Sequence, residues 1–504
     1  MQNKILSLLE AQKKVQNFKK RGKKIVLCHG VFDIIHPGHI DHFKFSKNKG
    51  DILVISVTSD QFVNKGFGRP IFDVNKRKLF LSNLSFVDIV VESDNKSAVS
   101  IIKKLKPNFY AKGPDYKVSK DDLTGKINDE IKAIKSVKGK FIISKGFTYS
   151  SSKMINQHFS QDSDQKKFLN KISRVYSKKQ ILDSIEKLSK LNVLVIGESI
   201  IDEYNFCETI GKSGKEPVLN VKKLYSKKYL GGGLAICKNL STFCNKVSFI
   251  SYLGENNEEK KFIRKKLDKN IITHFINKKN SPTIIKRRFL ENVSNIKNLG
   301  VYSVNDEFLS NGEENQIISK IKSLSKKSDL IIVSDYGHGL ITKKIAKLIS
   351  SFKKKYFVNA QLNSNNLGNH NLESYRNPNA IVINENELRH ELRDRNSSVI
   401  TLGRIMRSKK NANSVLITQG KDGATLLGKN KNIKCPAFAS SVYDKIGSGD
   451  AMLSIFSICS AIKINPLLSL YLSSLSAAQN VQSLANEKTV SKDNILKIVK
   501  HNFN

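Results

Sequence analysis

His29-Gly30-Val31-Phe32-Asp33-Ile34-Ile35-His36-Pro37-Gly38-His39 directly follows an apolar run, Ile25-Val26-Leu27-Cys28. The run predicts a buried strand. Pro37 and Gly38, set between two histidines three residues apart, predict a helix start with both rings on one side of its first turn. A helix N-terminus presents unpaired N–H groups and the positive end of the macrodipole, which together favour phosphate. Two imidazoles at that point can donate hydrogen bonds to charge developing on a transferring phosphoryl group. A helix cap or a surface pair is the simpler alternative for two histidines taken alone. A strand, a Gly-bearing turn and paired histidines at a helix start nevertheless point to nucleotide chemistry.

Outward from this stretch, strand-like runs alternate with amphipathic helical stretches: Lys24–Cys28, Ile52–Val57, Val87–Val91, Phe109–Ala111 and Phe141–Ser144. Such alternation predicts a parallel, doubly wound α/β sheet over residues 23–160. Residues 1–22 are lysine-rich and periodic and read as an N-terminal helix. Residues 161–190 are polar, with helical periodicity and no strand, and read as a helical linker. A second α/β domain over 191–504 starts at Val193-Leu194-Val195-Ile196-Gly197. Its further candidate strands are Val247–Tyr252, Leu330–Ser334, Tyr356–Asn359, Ala380–Ile383 and Ser414–Thr418, ahead of an apolar helical stretch at 449–483.

At 504 residues the chain suits two or three domains, and its 39% hydrophobic content suffices for their cores. The net charge of +42 comes from 86 Lys+Arg against 44 Asp+Glu. The lysines are spread along the whole length, so a solvated basic surface that attracts phosphorylated substrates is expected rather than a specific nucleic-acid site. No run of about 18 apolar residues predicts a membrane span, and residues 1–21 lack the apolar core of a signal peptide. The six cysteines form no Cys-x-x-Cys pair, as expected of reduced thiols in a cytoplasmic protein.

In the first domain the candidate phosphate and nucleotide residues are Gly30, Phe32 and Asp33, with His36 and His39 as the catalytic pair. Lys65 and Arg69 lie in the glycine-bearing loop Asn64-Lys65-Gly66-Phe67-Gly68-Arg69-Pro70, where two cations suit a triphosphate or phosphosugar. Arg77 follows on a helix. Asp115 sits in the polar turn Lys112-Gly113-Pro114-Asp115-Tyr116 as a substrate contact. Ser150, Ser151 and Ser152 precede another helix and offer hydroxyls and N–H groups to phosphate. Each of these alone also suits a solvated turn or an N-cap.

This ordered set resembles the cytidylyltransferase-like nucleotidyltransferases, a family that includes glycerol-3-phosphate cytidylyltransferase and the heptose 1-phosphate adenylyltransferases. The resemblance implies a Rossmann-like nucleotidyltransferase domain in which His-x-Gly-His stabilises the triphosphate. A substrate phosphate would attack the α-phosphorus of ATP or CTP, with Mg²⁺ and loss of pyrophosphate. Positioning and charge stabilisation would carry the reaction.

In the second domain, Asp444-Lys445-Ile446-Gly447-Ser448-Gly449-Asp450 precedes the long apolar helix. Small residues at Gly447, Ser448 and Gly449 let backbone N–H groups close on an anion. Asp450 there suits a general base, or simply an acidic cap. Asp202, after the first strand, suits sugar hydroxyls, and Gly231 and Gly232 open a helix close to a ligand. Asp335 ends a strand. Asn384 and Glu387 offer oxygen ligands for Mg²⁺ and its waters, Glu387 as the metal residue. Thr418 and Gly420 lie where a nucleotide can bind.

These pieces resemble the ribokinase-like PfkB sugar kinases, in which the Asp of a Gly-Ala-Gly-Asp signature is the base and the glycine amides form the anion hole. Lys215-Glu216-Pro217-Val218, Pro282-Thr283-Ile284 and Ser334-Asp335-Tyr336 look like the heptose 7-phosphate kinase branch. The sequence departs from the family at Ala235, where Asn usually makes a polar contact to the sugar, which bears on substrate identity; at Ile446, where Thr is common; at Ser448, in place of Ala; and at Asn359-Ala360-Gln361-Leu362-Asn363, which lacks the Asp-Pro-Lys type of run. Both halves together resemble the bifunctional heptose 7-phosphate kinase/heptose 1-phosphate nucleotidyltransferases in reversed domain order. That resemblance implies sugar phosphate and nucleoside triphosphate as partners, Mg²⁺ as cofactor, and a homo-oligomer.

Overall fold

The computed structural model describes residues 4–63, 70–95, 97–113, 127–144, 163–292, 295–362, 366, 370–429 and 431–503. The chain divides into two compact units, Met1–Gln161 and Asp162–Asn504.

The first unit is built on six parallel strands: β1 (Ile5–Leu6), β2 (Ile25–Gly30), β3 (Ile52–Thr58), β4 (Ile89–Ser93), β5 (Phe109–Lys112) and β6 (Lys140–Ile143). They lie in the order β1-β4-β3-β2-β5-β6. A parallel sheet is covered on both faces, which is why β2 is apolar without alternation. Ile25 and Leu27 pack into one layer with Ala11, Val15 and Ile101, while Val26 and Cys28 pack into the other with Phe43, Leu53 and Leu81. The chain runs from β2 to β3 and β4 on one side and returns to β5 on the other. The C-terminal ends of β2 and β5 therefore flank the topological switch point, where open α/β sheets take their ligands.

Residues 4–22 hold a short strand as well as the expected helix. Ile5–Leu6 pair with Val90 and Val91 at the sheet edge. Ser7 then caps the helix Leu8–Lys20 in a reciprocal capping box with Glu10. Ala11 and Val15 carry this helix into the core, so it is an integral layer of the first unit.

In chain order the strands of the second unit are β7 (Asn192–Gly197), β8 (Ser199–Lys212), β9 (Leu219–Gly232), β10 (Lys246–Gly254), β11 (Ile271–Lys278), β12 (Ile284–Glu291) and β13 (Lys297–Ser303). They continue with β14 (Leu330–Asp335), β15 (Tyr356–Ala360), β16 (Ala380–Asn384), β17 (Ser414–Thr418), β18 (Ala424–Leu427) and β19 (Asn432–Cys435). A nine-stranded sheet runs β11-β10-β7-β14-β15-β16-β17-β18-β19, parallel as far as β17 and antiparallel beyond it. A separate four-stranded sheet runs β13-β12-β8-β9.

This small sheet is the main departure from the sequence reading. Its strands escape notice because β9 breaks its apolar residues with Lys222-Lys223 and Lys227-Lys228 and leaves most of its length exposed. The stretch read as a linker is also corrected. Ser163–Ser173 and Lys178–Lys187 are helices of the second unit, with Phe168, Ile172, Ile181 and Ile185 buried and Glu186 paired to Lys492 at 2.7 Å. Their polarity belongs to one face only.

Candidate functional site

At the switch point of the first unit, His36 is the N-cap of the helix Pro37–Lys47, with Pro37 in its first turn. Proline suits that position because its missing N–H would have no helical partner there. The first turn carries no acidic residue, so its positive end is left for an anion. The His36 and His39 rings stack at 3.9 Å between centroids. Phe32 sets its edge against His39 at 5.5 Å and against Phe43 at 5.1 Å. Phe32 takes a positive φ of 49°, and Gly30 at the end of β2 lies against its ring. Strand, turn and helix thus deliver the histidine pair as one packed block.

Two further histidines flank it. His29 Nδ1 meets Ser56 Oγ at 3.0 Å, and His42 Nδ1 meets Ser144 Oγ at 3.0 Å. Burial, and then the charge of Lys112, push His29 down to about 3 and His42 down to about 4. Both are neutral at physiological pH, and both mark Lys112 as a buried cation among these strand ends. Lys112 itself lies 3.3 Å from Glu130.

Arg77 and Asp33 are placed differently from expectation. Arg77 is fully buried, and its guanidinium donates to the carbonyls of Phe72, Val31 and Thr58 and to Asp60 at 2.5 Å. It clasps the turns around the site rather than reaching a phosphate. Asp33 is also buried, and its carboxylate accepts from the N–H groups of Ile71 at 2.8 Å and Phe72 at 3.0 Å. It ties the backbone at Ile71 and Phe72 to the histidine turn. Arg77→Met should therefore lower unfolding stability by about 3 kcal/mol, since it leaves buried carbonyls without donors. Urea unfolding checks this, and Arg77→Lys should recover little because an ammonium lacks the planar fork. Lys65, Arg69, Asp115, Ser150, Ser151 and Ser152 lie outside the described residues.

In the second unit, Gly447 is the N-cap of the helix Ser448–Ala461, with φ of 84°. A Cβ there would meet Asn486 Oδ1 at 2.2 Å, so only glycine turns the chain tightly enough. Ser448 Oγ donates to the Lys445 carbonyl at 3.0 Å, and Gly449 faces open space. Asp450 is buried one residue on, and accepts from the Tyr336 hydroxyl at 2.8 Å. Burial raises Asp450 to about 7; the Tyr336 hydrogen bond opposes this, Asp202 and Glu387 add to it, and Lys286 works against it. Such a carboxylate can take a proton near neutral pH.

Asp202 lies on β8, paired with Arg288 of β12. A Cβ on Gly231 would stand 2.3 Å from Asp202 Oδ2, so the bare glycine gives the carboxylate its place. Gly232, at φ of 56°, is the N-cap of the helix Gly233–Ser241.

Asp335, expected to meet substrate, is turned inward. Tyr375 donates to it at 2.7 Å, the Gly337 N–H at 3.1 Å, and His370 Nε2 lies 3.5 Å away. Glu198, also buried, accepts from the N–H groups of Tyr336 and His338. Burial raises both acids. Together they lock the turn that carries Tyr336 and His338.

Asn384 and Thr418 lie side by side at the ends of β16 and β17, with Asn384 Nδ2 donating to the Thr418 carbonyl at 3.3 Å. Gly420 follows in a short turn with open space around it. Glu387, expected to ligate metal, closes the capping box of the helix Glu385–Leu392 by accepting from the Asn384 N–H at 2.9 Å. Among the described residues no cluster of three acidic, His or Cys ligands forms.

Sequence reasoning missed Tyr336, Arg288, Lys286 and Lys112 as site residues. Two carried a signal: Tyr336 as the residue after the strand-ending Ser334-Asp335, and Lys112 as the first residue of the polar turn at 112–116.

A parallel sheet with a histidine pair at its switch point, joined in one chain to a glycine-turned helix start facing a small sheet, defines a two-domain α/β transferase. The chain belongs to the pfkB family carbohydrate kinases, which it matches over residues 190–483, and residues 27–157 match the cytidylyltransferase-like family.

The bifunctional protein HldE of Actinobacillus pleuropneumoniae is 40% identical over 115 residues, which is 22% of this chain and 24% of that protein. HldE of Wolinella succinogenes is 36% identical over 141 residues, 28% of this chain and 30% of that one. The chain thus matches less than a third of these relatives' length. Phosphofructokinase-2 of Escherichia coli in complex with potassium aligns with a TM-score of 0.50 at 12% identity, over 63% of this chain and 100% of that one. The same enzyme with substrates and products aligns at 0.50 and 14%, over 62% and 98%. These structural likenesses concern the fold.

Proposed function

We propose that the chain is a bifunctional enzyme that makes a nucleotide-activated sugar. The observation that carries the reading is Asp450, a carboxylate raised to about 7 at a glycine-turned helix start. It shares its chain with the stacked pair His36 and His39 at a switch point.

In the second unit Asp450 takes the proton of the anomeric hydroxyl of a heptose 7-phosphate-like sugar. The oxygen attacks the γ-phosphorus of ATP, and ADP leaves. The backbone N–H groups at 447–449 face the charge that develops on the transferring group. Asp202 holds sugar hydroxyls and Arg288 fixes its carboxylate. In the first unit His36 and His39 stabilise the triphosphate while a sugar 1-phosphate attacks the α-phosphorus. An NMP-sugar forms, AMP being the first candidate nucleotide, and pyrophosphate leaves. Removal of the distal phosphate between the two steps falls to another enzyme.

Mg²⁺ supplies charge neutralisation of the phosphates. The donor set suits an ion that arrives on the nucleotide and keeps most of its waters, with Glu387 and Asn384 bordering its place. Six buried free cysteines support a reducing compartment, and among the described residues no helix is long and apolar enough to cross a membrane.

A second reading, CTP with a polyol or other sugar phosphate, is equally compatible with the cytidylyltransferase-like family that residues 27–157 match. Ala235 and Ile446 would then mark a kinase half altered in substrate or reduced to binding. Mass spectrometry of products formed with Mg²⁺, a panel of sugar and polyol phosphates, and ATP or CTP separates the readings. An ADP-linked sugar supports the first and a CDP-linked product the second; a nucleotide-linked product from neither would refute both.

Gly231→Ala offers a narrower check. Its methyl group must push Asp202 and Arg288 aside, and a displacement of about 1 Å costs up to about 10²-fold. Steady-state ADP formation should show a KM for sugar raised at least about tenfold, with pyrophosphate release unchanged.

A further inference from the structure

Lys286 lies on β12, in register with Asp202 of β8 and Tyr302 of β13. Its side chain is buried, with only 8% exposed. Its ammonium sits between two aromatic faces, 5.6 Å from the centroid of Tyr302 and 5.7 Å from that of Tyr336. Among the described residues no hydrogen bond and no ion pair within 4.0 Å holds it, and the carboxylates of Asp202, Glu198 and Asp306 act on it only through their charge. The acid best placed to serve it, Asp202, is taken by Arg288 on one oxygen and wedged against Gly231 on the other. The neighbouring buried lysine, Lys278, shows the contrast, since the carbonyls of Asn305 at 2.7 Å and Glu307 at 2.5 Å receive its protons.

His338 stands beside Lys286. It is 1% exposed and its Nδ1 meets Asp306 at 2.6 Å. Among the described residues its Nε2 has no hydrogen-bond partner. Burial, and then the charge of Lys286, lower its pKa.

A buried ammonium without an acceptor costs several kcal/mol, of which two ring faces return only part. An arriving anion would recover the rest. The position also says which anion. Lys286 shares the small sheet with Asp202, on the side that holds the sugar, whereas the transferring phosphoryl group is served by the N–H groups at 447–449. Tyr336 joins the two ends, its ring under Lys286 and its hydroxyl on Asp450.

We propose that Lys286, with Nε2 of His338 beside it, is the subsite for a phosphate that the sugar substrate already carries, at the end opposite the hydroxyl deprotonated by Asp450. This rests on reading the second unit as a sugar kinase. The phosphate shares a proton with Nε2, either donating one as a monoanion or receiving a hydrogen bond from the imidazolium that Asp306 stabilises.

The test is Lys286→Met in the full chain, with a heptose 7-phosphate and the parent heptose as paired probes. By calorimetric titration without ATP, the wild type should bind the phosphorylated sugar about 30-fold tighter. That ratio corresponds to about 2 kcal/mol for a charged hydrogen bond. In Lys286→Met the ratio should fall below about threefold. Thermal unfolding without ligand should rise in the variant, because an unpaired buried charge is removed; a lysine kept only for packing on the tyrosines would make it fall. A preference that survives in the variant, an equal weakening of both sugars, or a lower Tm would each overturn the proposal. Adding ATP separates the two readings. A Lys286-dependent preference without phosphoryl transfer keeps the subsite and refutes the kinase reading. Transfer to the parent sugar with no preference for its phosphate keeps the kinase reading and refutes the subsite.

Discussion

His36→Ala and His39→Ala are each expected to lower pyrophosphate release by about 10²–10³-fold, the loss measured when one donor to developing charge is removed. The geometry makes the two act as one unit. Their rings stack at 3.9 Å, His36 caps the helix and His39 lies in its first turn, backed by Phe32 and Phe43. Removing either ring leaves its partner without the face that orients it, so the double variant should cost little more than the worse single one. His29→Ala and His42→Ala are the controls, since both histidines are held neutral by burial and by Lys112. ADP formation by the second unit should persist in both catalytic variants. A pyrophosphate assay beside a coupled ADP assay reads the two halves in one preparation. Undiminished pyrophosphate release in both single variants would remove the histidines from the chemistry.

Asp450→Asn is expected to reduce ADP formation by about 10²–10⁴-fold, the contribution of a positioned general base. The pH dependence has a definite sign. Asp450 must be unprotonated to accept the hydroxyl proton, so kcat/KM should climb with pH and level off above about 7. Tyr336→Phe removes a hydrogen bond to the carboxylate, so the midpoint should move to higher pH.

Stability runs the other way. The folded chain keeps the Asp450 proton up to about pH 7, whereas the unfolded chain releases it near the model-compound value of about 4. Between these values the native state binds the extra proton, and this residue's contribution falls as pH rises. Asn at 450 escapes that loss. At pH 8 the variant should be more stable than the wild type, by at most about 4 kcal/mol, and near pH 4 the gain should vanish. Urea unfolding at the two pH values checks it. A variant no more stable at pH 8 than at pH 4, relative to wild type, would show that Asp450 is not strained by burial.

The comparison of sequence with structure turns on how local each cause is. The strand ending in Gly30, the helix starting at Pro37 and the glycine turn before Asp450 were legible because each rests on neighbours within a few residues. Apolar runs, turn residues and helix starts are read from such short windows. The order of the two domains was legible for the same reason.

What neighbours in the chain could not show is where a polar side chain spends its hydrogen bonds. Arg77 and Lys65 look alike in sequence as cations near a phosphate loop. Arg77 is drawn inside because Val31 and Thr58, 46 and 19 residues away, leave carbonyls that need donors. Asp335 turns inward to Tyr375, and Glu387 back to its own helix cap. The small sheet depends on β12 pairing with β8 across some 80 residues of chain. Pairing across that distance follows from packing rather than from any local pattern. Lys286 is the sharpest case. Its neighbours on the strand are ordinary, and among the described residues no carboxylate pairs with it directly, because Arg288 has taken Asp202 and two tyrosines close around it. Periodicity and turn chemistry settle which elements form, since those are short-range. Burial and the pairing of charges are long-range, and they alone determine which of the polar residues remain available to a substrate.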